Sequence, residues 1–198
     1  MLLSAASVSS VAYGDRALTP LESSVVSAKC ASLASFGAPT PGLTFEARIS
    51  VASCVASERL DKVPRMAPTL VTSALADAAE PAIAMIDDVI QTAGGDHPGV
   101  VIIAQTAKAN IYAGLITRAR AMIPSEFEVT GTKYAMLREA HEDLEAQLAP
   151  WVDREEAALS AVASTGRMHP ELNRNPVIQT AIRDSNTALD ATPLSATR

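Results

Sequence analysis

Residues 98–123 read PGVVIIAQTAKANIYAGLITRARAMI. Apolar side chains recur at Val101, Ala104, Ile111, Leu115, Ala119 and Met122, close to the period of an α-helix. Val100, Ile102, Ile103, Tyr112, Ile116 and Ile123 widen that face almost to the full circumference at the first turn. A helix apolar on so many sides belongs in a core, with neighbours all round it. Asp96 is positioned to cap its start, Pro98 suits the first turn, and Pro124 stops it. At 1.5 Å per residue such a rod is roughly 39 Å long. Two other readings compete. A buried strand over Val100–Ala104 is countered by the helical spacing that continues after it. A membrane span is countered by Gln105, Lys108 and Asn110, which interrupt the apolar run early.

Elements upstream are set by caps and breakers. In TPLE (residues 19–22), Thr19 caps, Pro20 takes the first helical position and Glu22 completes a capping box; Gly37 closes that helix. Residues 43–60 are ambiguous. Leu43, Phe45, Ala47, Ile49 and Val51 alternate like a half-buried strand, yet no hairpin partner is evident, which favours helix. A short helix follows from Pro68 to Ala79, broken or kinked at Glu80-Pro81. The next carries Ile83, Ile86, Val89 and Ile90 inward and Asp87 and Asp88 outward, and ends at Gly94-Gly95. The short GGDHPG link then predicts an antiparallel hairpin with the central helix.

Downstream, Thr132 is the expected cap of a helix whose seam is Tyr134, Leu137, His141, Leu144, Leu148 and Trp151. Pro150 is expected to kink or divide it, and Gly166 to end it. Asn173 or Asn175 caps a last helix opened by Pro176, with Val177, Ile178, Ala181, Ile182 and Leu189 buried. The fold class is all-α: an irregular multi-helix bundle around a long central hydrophobic helix, with extended terminal arms. Residues 1–18 form an arm that is flexible or binds a partner, 19–191 a single helical domain, and 192–198 a tail.

The chain has 198 residues and a net charge of −6, with 48% hydrophobic but only 4% aromatic residues, so its core rests on Ala, Val, Ile and Leu. Small side chains each bury little apolar area, which points towards reliance on subunit contacts. Acids crowd residues 58–100 and 138–156, and no block is strongly basic, which disfavours a general electrostatic attraction to nucleic acid. Cys30 and Cys54 fit no metal or redox spacing and read as two free, buried small side chains; a disulfide needs them to meet in space. The opening MLLSAASVSSVAYG lacks a basic n-region, so a cytoplasmic or virion setting is the default expectation.

Motifs that carry chemistry are absent from the sequence pattern. His97, His141 and His169 have no second histidine at metal-binding spacing. GGDHPG is not a phosphate loop, and no serine sits in a nucleophile elbow. No cofactor, metal or catalytic set is therefore expected. The residues singled out for interface or ligand contacts are Lys108, Arg118, Arg120, Arg138, His141 and Trp151. Lys108, Asn110, Arg118 and Arg120, polar interruptions of the central helix, read first as sites of structural ion pairing and second as the lining of a nucleic-acid groove repeated through a polymer. The functional expectation is a non-enzymatic structural or assembly subunit, such as a coat or shell protein, whose partners are identical chains. The alternatives are a helical adaptor in a hetero-complex and a small helical enzyme with a scattered Arg/His/Glu site.

Overall fold

The computed structural model describes residues 26–34, 44–64, 68–122 and 132–191. Among them the chain forms six α-helices: α1 (Ala28–Ala34), α2 (Phe45–Asp61), α3 (Pro68–Ala93), α4 (Pro98–Ala121), α5 (Thr132–Met168) and α6 (Pro176–Ala191). Short 3-10 turns occupy Gly94–Asp96 and Pro170–Arg174. The fold is all-α, and no strand occurs among the described residues. The arm (1–18), the TPLE cap, the Gly37 stop, Pro124 and the tail (192–198) lie outside the described residues.

The ambiguous segment is helix α2. Thr44 decides it locally: its Oγ1 accepts a hydrogen bond from the Ala47 N–H at 3.2 Å. Glu46 in the first turn and Arg59 in the last complement the helix dipole. Phe45, Ile49, Ala52, Val55 and Ala56 are buried, and so is Arg48, whose side chain no alternation pattern marks as internal.

Two expected breaks do not occur. Helix α3 runs unbroken through Pro81, and α5 runs unbroken through Pro150. A proline inside a helix costs about 3 kcal/mol. Buried residues on either side offset that cost: Ala79, Ala82 and Met85 around Pro81, Leu148 and Trp151 around Pro150. A single buried Leu or Met contributes about 1.5–3 kcal/mol. The residues four before each proline, Asp77 and Ala146, are exposed, so water reaches the region of the freed carbonyls.

Gly166 also departs from expectation. It lies inside α5, which ends at Met168. A Cβ at that position would stand 2.6 Å from Cδ1 of Ile182 on α6, so the glycine serves helix contact rather than helix termination.

The turn between α3 and α4 follows its glycines, with Gly94 at φ +50°. The cap differs from expectation: His97, not Asp96, holds the N-cap position of α4, without a side-chain capping bond, and Pro98 opens the helix. The expected last cap is present, since Asn175 Oδ1 accepts from the Val177 N–H at 3.0 Å.

Helix α4 has 24 residues, about 36 Å, and packs against α2, α3, α5 and α6. Ile102, Ala104, Ala109, Ile111, Tyr112, Leu115, Ile116 and Ala119 are buried around it. Enclosure is nevertheless partial. Its most apolar 18-residue window is 39% buried, and by length and composition alone the helix could cross a membrane. Helix α6 is lightly held: Ile178 is buried with Ile102 and Val162, whereas Val177, expected inside, is 63% exposed.

The cysteines are not free. Cys30 of α1 and Cys54 of α2 form a disulfide, with Cα atoms 5.6 Å apart across 24 residues of sequence. Closing a loop of that length in the unfolded chain removes entropy worth about 3.5 kcal/mol.

Candidate functional site

Three helices meet over a polar cleft of about 440 Å³, walled by Asp87 of α3, Gln105, Lys108 and Tyr112 of α4, and Arg154 of α5. Lys108 and Tyr112 stand one helical turn apart, so both project to the same side. Lys108 Nζ donates to Asp87 Oδ1 at 2.6 Å, which largely neutralises that corner. A smaller recess of about 210 Å³ adjoins it, sharing Ile83, Tyr112 and Arg154 and adding Asp77, Glu80 and Trp151. Trp151, Arg154 and Ala158 lie at steps of three and four on α5; that spacing is the signal that would have placed Arg154 here.

On the other side of α4 lies a groove of about 440 Å³ between α2 and α6. Its floor is a helical stripe, Ile103, Ala107, Ile111 and Gly114, at steps of four, four and three. Ala56 and Leu60 form one wall, Val177 and Ala181 the other. A Cβ built on Gly114 would meet nothing within 4 Å, so the groove is open there.

The six residues singled out in the sequence do not converge. Lys108 lines the cleft, and Trp151, 7% exposed, lines the recess. Arg118 stands at the groove and is ion-paired with Asp61 of α2. Arg120 forks onto Glu145 of α5, with Nε to Oε1 and Nη2 to Oε2 both at 2.7 Å. Arg138 is exposed and faces Glu142 on its own helix at 3.6 Å. His141 is half-buried on α5, and its charge adds to that of Arg120 at Glu145.

The hydrogen bond from Arg120, more than the nearby charges, holds the Glu145 carboxyl below the usual glutamate range. The same bond raises the Arg120 guanidinium further. Glu155 behaves oppositely: burial pushes its carboxyl up, and the charge of Arg120 only partly counters it.

One pair escaped sequence reasoning altogether. Arg48, 1% exposed, reaches from α2 to Asp88 of α3, with Nη2 2.7 Å from Oδ2. Asp88 is therefore turned towards α2, not outward as its neighbour Asp87 is. The signal was the spacing Phe45, Arg48, Ala52, Val55, visible only once the segment is known to be helix.

Chemically, the cleft offers the paired Lys108 and Asp87 beside the guanidinium of Arg154, and no histidine lines the cleft, the recess or the groove. The groove offers mainly aliphatic surface, with Ser53, Ser57, Thr106, Asn110 and Arg118 also on its lining. Comparison with known proteins adds no relative to this geometry: no protein-family model, no curated protein and no solved structure matches the chain.

Proposed function

We propose that the chain is a non-enzymatic assembly subunit that associates with further copies of itself, using the groove between α2 and α6 as a contact surface. The observation that carries this reading is the uncovered stripe of α4. Ile103, Ala107 and Gly114 lie on the helix that, among the described residues, is long and apolar enough to cross a membrane, but they are only partly buried. Water on such a stripe is unfavourable, and a docked apolar side chain relieves it at about 25 cal/mol per Å². Val177 on the groove's rim adds exposed apolar surface, as do Leu70, Met136 and Met168 elsewhere on the molecule. A coat or shell particle is the extended form of the same proposal, with the N-terminal residues 1–18 as a second contact between copies.

Gly114→Glu tests the groove. The substitution enters open space and replaces the poorest ordinary helix former, so the helix itself is stabilised by up to about 1 kcal/mol. The charge blocks apolar docking. The expected result is a multimeric wild type and a variant of lower mass with undiminished helical circular dichroism. A variant that keeps the wild-type mass overturns the groove as the contact surface. Removal of residues 1–18 is expected to lower the mass further, and an unchanged mass removes the arm from the proposal.

A further inference from the structure

Cys54 and Glu58 stand one turn apart on α2, and Cys30 reaches the same point from α1. The two sulfurs and a Glu58 carboxylate oxygen all lie within 4.8 Å of one another. Cys30 is fully buried, whereas Cys54 and Glu58 are half-buried, which leaves a path from solvent. Glu58 makes no hydrogen bond or ion pair with another described residue, so its oxygens are available.

We propose that reduction of the Cys30–Cys54 disulfide turns this corner into a binding site for Zn²⁺, held by two thiolates and the Glu58 carboxylate. The donor set is one that Zn²⁺ accepts: sulfur at about 2.3 Å and carboxylate oxygen at about 2.0–2.2 Å. Tetrahedral geometry then separates the two sulfurs by about 3.7 Å. The 5.6 Å between the Cα atoms suits that opening with small side-chain rotations. The fourth position is left to water.

Reduction takes two electrons and two protons. Two equivalents of a monothiol supply them and leave as their own disulfide, breaking the S–S bond and forming two protein S–H groups. Binding of Zn²⁺ then forms two Zn–S bonds and releases both protons to solvent. The disulfide and the metal site are mutually exclusive, so the redox state selects between them. In either state α1 stays attached to α2.

The full chain is reduced with a monothiol, desalted under argon and titrated with Co²⁺. One equivalent is expected to give the thiolate-to-cobalt charge-transfer band, which Zn²⁺ then abolishes by displacement. The oxidised protein is expected to give none. Glu58→Gln, which leaves both cysteines in place, is expected to weaken Co²⁺ binding at least about tenfold. No band in the reduced wild type overturns the proposal. So does a band of equal affinity in Glu58→Gln, which would mean a two-thiolate site only. Loss of helical circular dichroism on reduction that Zn²⁺ does not restore also overturns it.

Discussion

Arg48 ties α2 to α3 through a buried ion pair. A guanidinium 1% exposed is tolerated because Asp88 stands 2.7 Å away. Removing the acid takes away this contact to a buried cation, and losses of about 3–5 kcal/mol are typical for breaks of a buried pair. Asp88 is itself 33% exposed, so the lower end applies. Asp88→Asn is expected to cost about 3 kcal/mol, read as a drop in the denaturant midpoint at unchanged slope. A change below about 0.5 kcal/mol would show that the pair is not structural.

Glu155 gives a prediction of opposite sense. Burial raises its pKa in the folded chain. The folded state therefore holds the proton more tightly than the unfolded one. Its stabilising contribution is complete below the ordinary glutamate value of about 4.3 and is lost as pH rises through the raised one. At neutral pH the charged carboxylate opposes folding. Glu155→Gln is expected to stabilise the protein at pH 7, by less than about 1 kcal/mol after allowance for solvent screening, and the gain should vanish at low pH. Thermal melts of both proteins across that range measure it.

At the scale of elements, α6 is attached through few buried side chains. It rests on Ile178 in a small cluster and on the close approach of Ile182 to Gly166. Any side chain at 166 drives Ile182 away. Gly166→Val is expected to raise hydrogen exchange throughout α6 while the amides of α2, α3 and α4 stay protected. Uniform loss of protection would mean that α6 and the main core unfold together.

Which elements were legible in the sequence follows from where their signals lie. The start of α4, the left-handed Gly94 and the Asn175 cap are set by chemistry within a few residues, and the sequence carries it. The continuity of α3 and α5 through Pro81 and Pro150 is set by packing across the bundle, which no local pattern encodes. The same divide holds for the candidate sites. Lys108 is a polar interruption of an apolar helix, and Trp151 belongs to a seam at steps of three and four, so both are legible in the sequence. Arg154 follows Trp151 by three on the same helix, whereas the Cys30–Cys54 bond across 24 residues needed the third dimension.

Among the described residues the molecule is a bundle whose central helix α4 is covered on the α3 and α5 sides and bordered by a groove between α2 and α6. A core poor in aromatic residues limits what one copy can bury. The ion pairs Arg120–Glu145, Arg118–Asp61 and Lys108–Asp87 tie the helices of one chain together. Each of these cations sits beside an acid of the same chain. Apolar contact between copies is the surface property that the proposed assembly uses.

Sedimentation velocity of the untagged wild-type chain over a hundredfold dilution series tests this account most directly. The account predicts a species well above the 20.6 kDa of one chain, dissociating as it is diluted. A single 20.6 kDa species at every concentration would contradict it.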